Sequence, residues 1–360
     1  MMEVNDRIEK CMAQKVKIGF RADANEHIAS GHIMRCMSIA AQCRRLGAEC
    51  IFILAQEKET AGIISSNFEY VVLGSDWSCL DTELDIMKKM VSDLRLDFLV
   101  VDSYQAGSGY LEALQSTVPV LYIDDIAADT YDITAVLHYG VGDNADYYLQ
   151  YGDYSNTDIL AGSEYIPLRE EFITGEHGTD YRHVRDKSIM ITTGGTDPFD
   201  VTRQLLNAFL QEPGFGDYSF EVIVGGMNQY AGGIDSMAVE CDRIHTHYNV
   251  NNMSYYMRRC MAAVSAGGTT LFELCACGTP AVCFSFAENQ VDGAKRLDSM
   301  GVIRYAGDAR EHDVVPAILG NVKNLLENDD IYKKCSHDMR QCVDGRGAVR
   351  IASYILEYCR

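Results

Sequence analysis

Residues 16–54 read VKIGFRADANEHIASGHIMRCMSIAAQCRRLGAECIFIL, and the way this stretch divides decides the fold. Val16–Phe20 is a short strand-forming run. His32–Leu46 carries apolar residues at helical spacing and is stopped by Gly47. Cys50–Leu54 is a second strand run. A helix between two strands brings the chain back to the starting end of the sheet. The strands therefore pair in parallel, and the helix covers one face.

Outward from this unit the alternation continues. Strand runs stand at Tyr70–Leu73, Phe98–Asp102 and Val120–Ile123, with a helical stretch at Leu80–Arg95. A polar stretch with two glycines, Thr174–Lys187, then reads as a linker. Beyond it come strand runs at Ser188–Thr192, Phe220–Val224, Ala262–Ser265 and Ala281–Phe284. Helical stretches separate them at Asp200–Leu210, Met253–Arg259, Leu271–Cys277 and Gln290–Met300, and the chain is helical from about Val314. The spacing predicts an α/β protein of two doubly wound, Rossmann-like lobes, residues 16–173 and 188–360. Ligands bind at the carboxyl ends of strands in such sheets, so a cleft between the lobes is expected to be the site.

The 360 residues include 52 acidic and 31 basic ones, a net charge of −21. That excludes nucleic acid and anionic membranes as expected partners, since both need a basic surface. A small phosphorylated ligand stays open, because backbone N–H groups at a helix start hold phosphate whatever the net charge. No apolar run approaches the ~20 residues of a membrane span. Met1–Lys15 lacks the basic end and apolar core of a secretory signal, so a cytoplasmic location is expected. The 13 cysteines form no CxxC pair; Cys275 and Cys277 make only a CxC, and Cys36 and Cys43 share one predicted helix face as core residues. No metal site and no cofactor are expected.

Three loops leave predicted strands and open helices. They are Arg21–His32, Thr193–Pro198 with Gly194 and Gly195, and Ser265–Thr270 with Gly267 and Gly268. Glycine lets the backbone approach a phosphate, and a helix start carries about half a positive charge. None matches the P-loop or the GxGxxG fingerprint. Asp23, Asp102, Asp124 and Asp125 all end or follow strands. Asp124–Asp125 reads either as a metal pair or as turn caps. Arg21 and Arg35 read as partners of these acids or as binding groups. Trp77, the only tryptophan, sits beside Asp76 in a loop and reads as a ligand cover or a surface anchor; His245 and His247 alternate like strand residues, and Asn249–Asn252 begins the next turn.

Taken in order, these motifs resemble the UDP-sugar hydrolases of pseudaminic acid biosynthesis, which share the glycosyltransferase-B fold with the lipid II N-acetylglucosaminyltransferases. The matching pieces are Phe20-Arg21-Ala22-Asp23 with Ser30-Gly31-His32-Ile33-Met34-Arg35-Cys36, Val101-Asp102-Ser103-Tyr104, Ile123-Asp124-Asp125-Ile126-Ala127, Gly194-Gly195-Thr196-Asp197-Pro198, Ala266-Gly267-Gly268-Thr269-Thr270 with Glu273, and Ala287-Glu288-Asn289-Gln290. The resemblance implies removal of UDP from UDP-2,4-diacetamido-2,4,6-trideoxy-β-L-altropyranose by water attack at the anomeric carbon. It implies His32 as the catalytic base. Arg21, Asp23, Tyr104, Glu288 and Asn289 would contact the sugar. Gly194, Gly195, Thr196, Gly267, Gly268, Thr269, Thr270 and Glu273 would hold UDP, with Glu273 on the ribose. From the residues alone, His32 sits in the first turn of a helix, where the dipole disfavours imidazolium and so favours a neutral base. The competing readings are a glycosyltransferase with a UDP-sugar donor, a UDP-N-acetylhexosamine 2-epimerase, and a nucleotide-sugar-binding subunit without catalysis.

Overall fold

The computed structural model describes residues 15–25, 31–56, 62, 64, 66–127, 129–142, 145–152, 156–173 and 185–360. The chain divides into two compact units. One comprises residues up to Arg169 together with Arg346–Arg360; the other is Glu170–Gly345.

In the first unit, strands β1 (Lys17–Ala22), β2 (Glu49–Leu54), β3 (Glu69–Val72), β4 (Phe98–Asp102), β5 (Val120–Ile123), β6 (Ala135–Tyr139) and β7 (Asp158–Gly162) form one parallel sheet. Their order is β3-β2-β1-β4-β5-β6-β7. The strands are apolar on both faces because both faces are covered. Phe20, Phe98 and Val100 pack against helix α1 (Gly31–Arg45) and against Ile351 and Ile355 near the chain end. Leu99, Val101 and Val120 point the other way, onto helices α2 (Leu84–Leu94) and α3 (Ser108–Gln115). Each such fully buried side chain contributes about 1.5–3 kcal/mol. One short helix, α4 (Ala145–Gln150), precedes β7.

The second unit repeats the plan. Strands β8 (Asp186–Thr192), β9 (Ser219–Val224), β10 (Ile244–Tyr248), β11 (Cys260–Ala266), β12 (Ala281–Ser285) and β13 (Arg304–Asp308) pair in parallel in the order β10-β9-β8-β11-β12-β13. The helices are α5 (Val201–Gln211), α6 (Ala231–Glu240), α7 (Met253–Arg259), α8 (Thr269–Cys277), α9 (Glu288–Ser299), α10 (Val315–Glu327) and α11 (Asp329–Cys342).

The structure departs from the sequence reading in three respects. Helix α12 (Gly347–Tyr358) belongs to the first unit, where Ile351, Ala352 and Ile355 pack on the α1 face, so the second domain does not run to residue 360 as one body. Strands β6, β7 and β13 were not read as strands. Two of them, β7 and β13, are edge strands ending in glycine or charge. The stretch read as a linker is structured at its end, where Asp186 and Lys187 already belong to β8 and Arg185 is buried. The Arg185 guanidinium donates to the carbonyls of Met257, Cys260, Cys277 and Gly278 and to the Thr279 hydroxyl, at 2.7–3.2 Å. It thereby gathers the carbonyl ends of α7 and α8, whose dipoles favour a cation there. The rest of that stretch, 174–184, lies outside the described residues.

Candidate active site

Both sheets change winding direction once. In the first the switch lies between β1 and β4, in the second between β8 and β11. Crevices form at such points beyond the carboxyl ends of the strands, and the residues singled out by sequence cluster there.

In the first unit, Asp102 closes β4 and stands in register with Ala22, the end of β1. It is fully buried and is approached by one face of α1, from positions i, i+3 and i+4. His32 Nδ1 lies 2.5 Å from Asp102 Oδ1. Arg35 donates from Nε to Oδ2 at 2.6 Å and from Nη2 to Oδ1 at 2.5 Å. Cys36 Sγ is 3.6 Å from Oδ2. Burial alone would raise the Asp102 carboxyl, but the Arg35 guanidinium and His32 outweigh it and hold it far below the usual carboxylate range. Asp102 is therefore an anion, and Nδ1 of His32 is the nitrogen that faces it. Arg35 Nη2, 3.2 Å from the same Nδ1, has no lone pair to offer. The proton of a neutral imidazole is thus assigned to Nδ1, and Nε2 keeps its lone pair.

Arg35 also donates to Asp125 Oδ2 at 2.5 Å and to the Tyr139 hydroxyl at 2.6 Å. The Tyr104 hydroxyl donates to the same Asp125 oxygen at 3.2 Å, and its ring stands edge-on to His32 with centroids 4.5 Å apart. Burial and Asp125 push the Tyr104 hydroxyl up to about 12, so it is a neutral donor at physiological pH. His32 is 5 % exposed and Tyr104 48 %, which makes Tyr104 the accessible edge of the group.

Asp124 and Asp125 part company. Asp124 Oδ1 accepts the Ala127 N–H, at a residue in the left-handed region (φ 56°), and Oδ2 accepts the Tyr147 hydroxyl, both at 2.9 Å. It is a turn cap, as one of the two sequence readings had it. Asp125 faces Arg35 instead.

Arg21 and Asp23, expected to touch the sugar, flank the end of β1 and are buried and paired with each other. Arg21 has no accessible surface. It donates to Glu83 through Nε and Nη2, at 2.7 and 3.0 Å, and to Asp23 Oδ2 at 2.5 Å. The other Asp23 oxygen accepts the Ala55 N–H at 2.8 Å, and Glu83 also takes the Tyr110 hydroxyl at 2.9 Å. This buried network joins β1, β2 and the segment before α2, and Arg21 is corrected to a structural role. Glu83 was not anticipated, because nothing local marks a glutamate that pairs across 62 residues. Trp77 is half-buried in the loop before that segment.

In the second unit, Gly194 and Gly195 follow β8 and are exposed, with Gly194 at φ 78°. Asp197 behind them caps α5, accepting the N–H groups of Val201 and Thr202 at 2.9 Å each; Thr196 is half-buried. Gly267 and Gly268 follow β11. A Cβ on Gly267 would lie 2.8 Å from Cβ of Gln290, so this turn packs on the start of α9. Gly268 is the N-cap of α8 and offers no side-chain cap, which leaves the first N–H groups of α8 open to an anion. Thr269 is exposed; Thr270 and Glu273 are half-buried. Glu288 and Asn289 open α9 and are exposed, with Glu288 2.9 Å from Arg310. A third glycine pair went unread. Gly225-Gly226 follows β9, and a Cβ on Gly225 would stand 2.1 Å from the Gly194 carbonyl oxygen. Its signal was present, a Gly-Gly after a strand run as in the other two loops. His245 and His247 both turn to Glu221 of β9, at 2.9 and 2.6 Å, while Asn252 caps α7.

No family model matches the chain. It is 21 % identical over 345 residues, 94 % of its length, to the spore coat polysaccharide biosynthesis protein SpsG of Bacillus subtilis, 97 % of which is covered. It is 22 % identical over 280 residues, 76 % of its length, to the pseudaminic acid cytidylyltransferase and UDP-2,4-diacetamido-2,4,6-trideoxy-β-L-altropyranose hydrolase of Helicobacter pylori, of which it spans 45 %. Among solved structures it matches the glycosyltransferase SnogD of Streptomyces nogalater, with a TM-score of 0.64 and 16 % identity over 96 % of this chain and all of that one. The fold is the two-domain Rossmann-like fold of glycosyltransferases. A Phytolacca americana UGT2 complexed with UDP-2-fluoro-glucose and pterostilbene shares it, with a TM-score of 0.64, 10 % identity, and 96 % and 99 % coverage. No helix among the described residues is long and apolar enough to cross a membrane.

Proposed function

We propose that the chain hydrolyses a UDP-linked acetamido-deoxy sugar, of the 2,4-diacetamido-2,4,6-trideoxy class, by water attack at the anomeric carbon. The observation that carries this reading is the 2.5 Å contact between His32 Nδ1 and the buried Asp102 carboxylate. It orients the ring, fixes the proton on Nδ1, and leaves Nε2 as a base for water. When Nε2 takes the proton, the resulting imidazolium faces the Asp102 carboxylate, which stabilises it. Tyr104 borders the base and is assigned to the sugar. Glu288 and Asn289 are assigned to the sugar as well, and the Gly194, Gly225 and Gly267 loops with Glu273 to UDP. The open N–H groups at the start of α8 stabilise the charge on the departing UDP. Phosphate charge is met by backbone in this reading, so turnover persists in excess chelator.

Water attack opposite the leaving group inverts the anomeric carbon and forms no sugar–enzyme bond. The test is turnover of UDP-sugars in ¹⁸O-water. Heavy oxygen is expected in the released sugar and not in UDP, read before the free anomeric centre exchanges. Label in the UDP phosphate would overturn attack at carbon. Turnover seen only with an added acceptor would assign the site to a glycosyltransferase, and binding without turnover to a carrier.

A further inference from the structure

A second carboxylate stands close to the His32–Asp102 pair without touching the ring. Asp125 sits in the turn that follows β5. Asp124 caps that turn through the Ala127 N–H, and Ala127 is in the left-handed region at φ 56°. That conformation is unfavourable for a residue with a side chain and persists where the surroundings fix it. The turn therefore delivers Asp125 to one place.

There, Asp125 Oδ2 gathers two groups. Arg35 donates to it from Nη1 at 2.5 Å, and the Tyr104 hydroxyl at 3.2 Å. Each of the two also meets the base. Arg35 Nη2 lies 3.2 Å from His32 Nδ1, and the Tyr104 ring stands edge-on to the imidazole. The other oxygen of Asp125, Oδ1, is buried and has no hydrogen-bond partner among the described residues. An unpaired buried carboxylate oxygen is unfavourable, so the residue is held for what its charge and Oδ2 supply.

Charge shows what that is. Among the described residues around the ring, Asp102 from β4 is anionic and Arg35 from α1 is cationic. The Cys36 thiol and the Tyr104 and Tyr139 hydroxyls are pushed up, chiefly by burial, and stay neutral. Arg35 opposes a positive charge on the ring, and with Asp102 alone the two would cancel. Asp125 pairs with the second terminal nitrogen of Arg35. Two carboxylates then stand against one guanidinium, and the negative charge in excess offsets an imidazolium.

We propose that Asp125 is a positioning residue for the base: it offsets the Arg35 charge beside His32, so that the ring takes up a proton from water, and it fixes the Tyr104 ring at the accessible edge of the imidazole. The proposal rests on the reading of His32 as the base.

The experiment compares wild type with Asp125→Asn, whose amide oxygen still accepts from Arg35 and Tyr104 but carries no charge. Two measurements are made on the full chain. One is kcat/KM for the UDP-sugar from about pH 5 to 8. The other needs no substrate: the ¹H–¹³C signal of the His32 ring is followed over the same range, assigned by its loss in His32→Gln. A weaker base is slower where both proteins are deprotonated, and it stays deprotonated further into acid. The variant is therefore expected to be about 10-fold slower at pH 8, with a gap that narrows as pH falls, and its His32 signal should titrate at lower pH. Tyr104→Phe cuts one tie but keeps the charge, so its His32 curve should follow wild type. If Asp125→Asn does not fold, Asp125→Ser carries the same comparison. An unmoved His32 curve, or one moved to higher pH, would overturn the proposal whatever the rates. Absence of UDP-sugar turnover in wild type would overturn the hydrolase reading instead, and the His32 curve would still decide this one.

Discussion

The two units share one topology and put different chemistry at the same place. At the switch point of the first, charged side chains converge: His32, Arg35, Asp102 and Asp125, with the Arg21–Asp23–Glu83 network beside β1. At the switch point of the second, glycines converge, and the buried carboxylate there, Asp197, is spent on capping a helix. A switch-point crevice lined by side chains can hold and move a proton. One stripped to backbone can let a phosphate approach N–H groups closely. The comparison teaches that the fold supplies the position, and that residue size and charge in the first turn after each strand decide what the position does.

His32→Ala would test that division most severely. Turnover should fall by roughly 10²–10⁴, the usual worth of a general base, while UDP affinity by calorimetry stays within about 2-fold. Normal kcat in this variant would mean that the charged cluster does no chemistry.

Asp102→Asn comes next. The ring keeps a neighbour but loses the anion that holds its proton on Nδ1, so kcat should drop about 10–100-fold, the usual cost of losing an orienting partner, with little change in KM. Stability carries a second readout. The folded-state carboxyl is held below its ordinary value, so the Asp102 contribution is complete above about pH 4 and is lost as pH falls through the depressed value. Chemical denaturation should show a constant gap between wild type and variant from pH 8 to about 5, narrowing in stronger acid. A gap that widened on acidification would contradict the pairing.

The glycine side of the comparison is sharpened by two neighbours. Gly225→Ala puts a Cβ 2.1 Å from the Gly194 oxygen, backbone against backbone, whereas Gly226→Ala meets nothing within 4 Å. UDP affinity should fall about 10-fold in the first, roughly 1.4 kcal/mol, and hold in the second. Equal behaviour would detach the loops from nucleotide binding. The smallest effect is expected from Glu273→Gln. A ribose contact made equally in ground and transition states should raise KM a few-fold and leave kcat alone; an unchanged KM places the ribose elsewhere.

Much of this was legible before any coordinates. The helix Met253–Arg259 has the bounds its pattern implies, and the strand runs ending at Asp102, Ile123 and Thr192 end where the strands do. Apolar periodicity records which faces are covered, and glycine after a strand records where the backbone must turn tightly, since both constraints act within a few residues of each other in the chain. The partnerships were not legible. Asp102 was placed at a strand end but not paired with His32. Arg21 was read toward the sugar and is sealed in a network with Glu83. Helix α12 could not be assigned to the first unit from its own pattern. Those outcomes depend on contacts between residues 62, 70 or some 300 positions apart. Such contacts leave no local periodicity, because many partners would satisfy the same buried charge or apolar stripe. The sequence by itself determined the alternation of strand and helix, the two sheets and the positions of the glycine turns. Which acid oriented the histidine, which arginine was withdrawn from solvent and which sheet received the last helix were decided only when the packed fold brought distant side chains within bonding distance.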